Sequence, residues 1–131
     1  MCRGQRKPRG AAAVELSLLL PILVFFFVIS FDFARIFFYS QTLANCARSG
    51  ALYSSNLVNA VSPYNSVQEA ALAEAGDLTP PPSVTSTNGF DSAGNPYVRV
   101  TVSWDFQTIA SLPGVPATVH LSRTTQMRVT Q

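Results

Sequence analysis

Residues 9–38 read RGAAAVELSLLLPILVFFFVISFDFARIFF, and this stretch decides the fold. Residues 11–31 are an apolar run interrupted by one carboxylate, Glu15. As a helix the run is roughly 31 Å long, which matches a bilayer hydrocarbon core of about 30 Å. Four bases and no acid (Arg3, Arg6, Lys7, Arg9) precede it and lead to Gly10. Asp32 and Arg35 follow it and mark the far membrane interface. With the basic cluster on the N-terminal side, the positive-inside rule places the N-terminus in the cytoplasm. Everything after Phe31 is then extracytoplasmic, and the expected location is the inner membrane, crossed once.

Two residues do not suit a plain anchor. Pro21 removes a helix hydrogen bond and predicts a kink, tolerable in a spanning helix when other groups satisfy the freed carbonyl. Glu15 is the sharper case, because a carboxylate inside an apolar span is expensive and usually functional. Its neighbours one turn away, Ala11 and Leu19, cannot pair with it as they stand. Either Glu15 snorkels to the cytoplasmic headgroups, toward Arg9, or cutting after Gly10 creates its partner. In the second case Ala11 carries a free ammonium one helical turn away, in the same chain or in a neighbour.

The stretch from Gly10 through Glu15, Pro21, Asp32 and Arg35, with the QTLANCARSGALYSS that follows at 41–55, resembles the start of the TadE-like pseudopilins. These are minor pilin-like components of the tight-adherence (Tad/Flp) pilus system. The closing QMRV at 126–129 also resembles the end of such sequences. Members typically have Phe after the glutamate; here it is Leu16, which keeps the position apolar. The resemblance implies cleavage by a prepilin peptidase between Gly10 and Ala11, and a structural role in pilus assembly. The implied partners are that peptidase, other pilin and pseudopilin subunits, the inner-membrane assembly platform and membrane lipid.

Two other targeting signals fit less well. A secretory signal has a shorter apolar core and a small-residue cleavage site after it, whereas this run is followed by Asp32-Phe33-Ala34-Arg35. The Leu43-Ala44-Asn45-Cys46 sequence has the outline of a lipoprotein site, but Asn45 is too large and Cys46 lies far beyond the apolar run.

The helical pattern continues past the membrane. Ile36, Ser40, Leu43, Ala47, Ala51, Ser54 and Val58 recur at steps of three and four, the spacing of one helix face. Gln41, Asn45, Arg48 and Asn56 lie opposite. One helix over about residues 13–57 would be roughly 67 Å long. Its small side chains allow another backbone to approach closely. Cys46 lies beside this stripe and reads as a small buried thiol rather than a reactive or intersubunit one.

Ser62-Pro63 ends that helix, and residues 66–75 predict a second one, with Ser66 and Glu69 at capping-box spacing and Gly76 as the stop. Residues 79–83, Thr-Pro-Pro-Pro-Ser, form a short stiff linker. Val98, Val100, Val102, Trp104 and Phe106 then alternate with Tyr97, Arg99, Thr101, Ser103 and Asp105, the mark of a strand with one apolar face. Residues 83–87 form a weaker strand before it, with Asn88-Gly89 and residues 93–96 framing a turn. Ala117, Val119, Leu121, Thr125, Met127 and Val129 form a third alternating set, broken by Arg123, which suggests a bulge or an edge. Residues 111–116 connect the last two strands.

The whole reads as α+β: a long N-terminal helix, membrane-spanning and continuing outside, packed on a small antiparallel sheet of about three strands, pilin-like. The divisions are a leader at 1–10, the membrane helix at 11–31, its continuation at 32–60, a short helix and Pro-rich linker at 61–82, and the sheet at 83–131.

The chain of 131 residues carries nine bases, seven acids and a formal charge of +2. Removing residues 1–10 takes four of the bases and leaves five against seven acids, a charge of −2. The remaining bases (Arg35, Arg48, Arg99, Arg123, Arg128) are scattered singly, so a nucleic-acid face is not supported. Two cysteines, Cys2 and Cys46, and the single His120 do not make a metal site, and no cofactor is implied. Glu69 and Glu74 sit well apart around a helix and read as a solvated face. His120, on the polar side of a strand, reads as a surface histidine, and no Gly-rich phosphate loop is present. An assembly subunit is therefore favoured over an enzyme. The alternative is an uncleaved, single-pass anchor presenting an extracytoplasmic binding module.

Overall fold

A computed structural model describes residues 10–55, 63–109 and 116–129. The expected Val58, Asn56, Ser62 and most of the 111–116 loop lie outside these residues, as does the basic leader. Helix α1 runs Ala11–Ser54, 44 residues with Pro21 inside, about 66 Å end to end. Helix α2 covers Val67–Leu72. Strands β1 (Ser83–Phe90), β2 (Pro96–Gln107) and β3 (Thr118–Arg128) follow. They form one antiparallel meander in the order β1-β2-β3, packed on the C-terminal half of α1, as the alternating strands and the small-residue stripe imply.

The long strand β2 is central because it alone has a strict apolar face. Val98, Val100, Val102 and Phe106 are completely buried against Leu43, Cys46, Ala47 and Ala51 of α1. Full burial of a side chain of Val, Leu or Phe size stabilises by about 1.5–3 kcal/mol. The small stripe sets how near the layers come. A Cβ on Gly50 would stand 3.2 Å from the Ala71 Cβ and 3.2 Å from Val100 Cγ1, so α1, α2 and β2 all meet over this glycine.

Several elements differ from the sequence expectation. Strand β1 extends through Asn88 and Gly89, which pair with Val98 and Tyr97 rather than turning. The turn itself falls within the region framed by Asn88-Gly89 and residues 93–96 and is built on Asp91. Its Oδ1 accepts from the backbone N–H groups of Ala93 (2.9 Å) and Asn95 (2.7 Å), and Gly94 supplies the positive φ of 79°. An aspartate bonding its own chain two residues on is a local turn device that competes with a strand.

Helix α2 stops at Leu72, short of Ala75. Ala75 N–H bonds Leu72 O at 3.0 Å, a one-turn tightening that uses the last carbonyls, and Gly76 follows at φ 59°. Ser66 caps as expected, its Oγ accepting from Glu69 N–H at 3.1 Å. The return bond is displaced by one residue: Glu69 Oε2 accepts from Asn65 N–H at 2.9 Å rather than from Ser66.

Arg123 makes no bulge. The β2–β3 register runs unbroken through Val102↔Arg123. Strand β3 is an edge strand, and the guanidinium reaches across to donate to the Ser40 hydroxyl of α1. That bond gives an inward arginine a partner on the helix.

Candidate assembly and membrane surface

The N-terminal half of α1 stands clear of the sheet. Its apolar window is long enough to cross a membrane, and none of it is buried within the molecule. Gly10 is the N-cap residue, with no side-chain cap, and its carbonyl accepts from Val14 N–H at 3.1 Å. Ala11 is the first helical residue, and Glu15 lies one turn further on the same helix. Glu15 is exposed on this bare segment, and among the described residues no ion pair forms at it. Pro21 lies within the continuous α1. Its missing N–H leaves the Ser17 carbonyl without its usual donor, while the Ser17 hydroxyl donates to Val14 O at 2.8 Å.

Asp32 is 7% exposed, although it directly follows the apolar run. Its Oδ1 accepts from Arg35 Nη1 at 3.2 Å and from the backbone N–H of Ile109 at 3.3 Å. The second bond ties α1 to the chain just after β2, 77 residues away. Arg35 also lies over the Phe106 ring, 4.8 Å from its centroid. Tyr39 packs on both Trp104 and Phe106, with ring centroids at 5.1 and 5.6 Å. Trp104 Nε1 donates to Pro80 O at 2.8 Å, which joins the proline linker to the cluster. An aromatic and ionic collar thus fixes the base of the sheet to one side of α1, where the bare helix begins.

Sequence reasoning missed two contacts. The sequence marks Asp32 only as the far membrane interface; its bond to Ile109 N–H depends on chain that returns from 77 residues away. His120 looked unaccompanied, but β3 pairs it directly with Asp105, and Nδ1 stands 2.6 Å from Asp105 Oδ1. Both side chains are about two-thirds exposed, and Asp105 lines a pocket with Arg35, Tyr39 and Trp104. Among the described residues no group of three or more His, Cys, Asp or Glu comes together as a metal site. Cys46 is fully buried. Burial first, and then the charge of Glu74, push its thiol above the usual range, so it packs as a neutral side chain.

Residues 10–52 match the family model described as TadE-like protein, a match that points to a component associated with the Tad pilus. It begins at the N-cap of α1 and ends two residues before its last turn closes, so it covers the helix and leaves out the sheet and the closing QMRV. No curated protein and no solved structure matches the chain.

Proposed function

We propose that this chain is a pseudopilin, a minor pilin-like subunit that acts structurally in assembling a Tad-type pilus. It is made as a membrane precursor with the leader, residues 1–10, on the cytoplasmic side and the sheet outside. A prepilin peptidase adds water across the Gly10–Ala11 peptide bond, releasing the leader and leaving Ala11 with a free ammonium. Glu15, the one charge in residues 11–31, then pairs with that ammonium, best with the one presented by a neighbouring subunit. A buried charge that must find its partner penalises wrong registers, the best-attested use of such pairs. Asp32 and Arg35 stand where the hydrocarbon core ends on the side facing the sheet, and Pro21 bends the span. Other pilin subunits and the inner-membrane assembly platform are the partners of the bare helix.

The observation that carries this reading is the geometry of the first two turns. A long, unburied, apolar span starts at Ala11, just after the N-cap Gly10, and the one carboxylate of residues 11–31 lies one turn beyond that first helical residue. Mass spectrometry of the protein from its native membrane tests it. The expected mature N-terminus is Ala11. A chain beginning at Met1 or Cys2 would instead make it an uncleaved anchor for an extracytoplasmic binding module. Glu15→Ala should still insert, since removing a charge favours the membrane, yet lose pilus output; unchanged piliation would sink the registry role.

A further inference from the structure

The sheet covers only one side of α1 above the membrane. Asp32, Ile36, Tyr39 and Leu43 face it and are buried or half-buried. On the opposite side Phe33, Phe37 and Phe38 are 72%, 64% and 66% exposed. Ile109, held at the level of Asp32 by its own N–H, is 64% exposed. This apolar side continues the bare span without a break, along a groove lined by Ile29, Ser30, Phe33, Ala34 and Phe37. It ends at Gln41, the next exposed polar residue on that side.

From the geometry we infer that Phe33, Phe37, Phe38 and Ile109 are embedded in the phospholipid headgroup layer of the membrane that α1 crosses, so that the sheet domain sits directly on the bilayer. The inference rests on reading residues 11–31 as the span. From Phe31 the helix climbs about 3 Å to Phe33 and about 9–10 Å to Phe37 and Phe38, against roughly 5–8 Å of headgroup region on each side of the hydrocarbon core, so Phe33 lies within that layer and Phe37 and Phe38 at its outer edge. Phe and Leu side chains are what interfacial helices bury at that depth.

Two observations favour lipid over a protein partner here. Of the charges at this level, Asp32 and Arg35 hold each other and Arg35 lies on Phe106, while exposed Asp77 lines a pocket with Phe38. The hydroxyls bordering the face are used as well. Ser30 Oγ donates to Phe26 O at 2.8 Å, and Thr42 Oγ1 to Phe38 O at 3.2 Å. With those hydroxyls turned back onto their own backbone, as helical Ser and Thr commonly are, the face is left apolar and continuous with the bare span, like the apolar side that a helix buries at a membrane interface.

The test uses full-length protein in phosphatidylethanolamine–phosphatidylglycerol vesicles. Cys2→Ser removes the leader thiol, and native Cys46 is too buried to label. An environment-sensitive fluorophore is placed in turn on Phe37→Cys, Ile109→Cys, Leu23→Cys within the span, and Phe90→Cys at the far end of the sheet. Quenching is read with nitroxides on the lipid headgroup, on the mid-acyl chain, and in water. Positions 37 and 109 should be quenched most by the headgroup nitroxide and several-fold more than position 90, while position 23 responds to the acyl nitroxide. If 37 and 109 respond like 90, or are shielded from lipid and water alike as beneath another subunit, the inference is overturned although the span stands. If position 23 also responds only to the aqueous quencher, the membrane reading itself fails.

Discussion

At Asp32, a buried carboxylate ties α1 to the chain just after β2, beside the Arg35–Phe106 and Tyr39 ring contacts. It accepts from the Arg35 guanidinium and from Ile109 N–H. Asp32→Ala deletes the acceptor and leaves a partly buried amide donor unmatched, which costs about 1–3 kcal/mol. The expected outcome is faster amide hydrogen exchange at Ile109 and a lower unfolding midpoint. Asp32→Asn keeps an acceptor oxygen for Ile109 and should recover much of the loss. Asp91 is the second informative carboxylate. Hydrogen bonds from Asn95, backbone then side chain, hold its pKa below the ordinary carboxylate value, with smaller help from Ala93 N–H and the Arg128 charge. A depressed pKa in the folded state means that the ionised form stabilises the turn. That contribution is present above the unfolded pKa of about 4 and is lost as pH falls through the lower folded value. Acid titration should therefore loosen the β1–β2 turn, seen as loss of the Ala93 and Asn95 amide protections, and Asp91→Ala should abolish that pH dependence. The main residue-level contacts were hidden in the sequence for one reason. Asp105 meets His120, and Asp32 meets Ile109, only through strand register and a returning loop, and no local pattern encodes either.

At the scale of elements, periodicity made most of the fold readable. Strict alternation over residues 97–106 marks β2, and steps of three and four past Phe31 mark a helix that does not stop at the membrane. What alternation could not resolve was the end of β1, where Asn88-Gly89 has the composition of a turn. Pairing with Val98 and Tyr97 of the strong strand overrides that preference, and strand propensity is context-dependent in this way. Gly50 shows how tightly the elements meet. Helix propensity alone would favour a larger residue there by up to about 1 kcal/mol. The contacts at 3.2 Å to Ala71 and Val100 oppose it, and both partners are fully buried. Gly50→Ala is expected to change stability little, as the two effects offset. Gly50→Val adds volume that neither neighbour can yield and should destabilise the sheet domain by about 1–3 kcal/mol. Thermal unfolding of the two variants compares them directly, and a Val variant as stable as the parent would show that α1 and β2 can separate without cost.

Across the whole molecule, the two ends of α1 carry separate tasks, and Gly10 allows them to be tested apart. The family match covers α1 and stops before the sheet. The proposed processing would change the formal charge from +2 to −2, removing the basic cluster and exposing the ammonium proposed as the partner of Glu15. Gly10 lies at the N-cap with open space around it: a Cβ there meets nothing within 4 Å. Its backbone is in the ordinary right-handed region, φ −98°, so a side chain adds no backbone strain. Gly10→Val should therefore fold, insert and keep the unfolding midpoint of the sheet domain unchanged, because nothing in the core touches that position. It should nevertheless accumulate as the full-length precursor, with Glu15 left without its ammonium and pilus output lost. Intact mass and piliation, measured beside the unfolding midpoint, separate the tasks. A Gly10→Val chain still cut to begin at Ala11 would show that a glycine there is not what the peptidase reads. An uncut chain that assembled normally would show that Glu15 does not act through the new N-terminus.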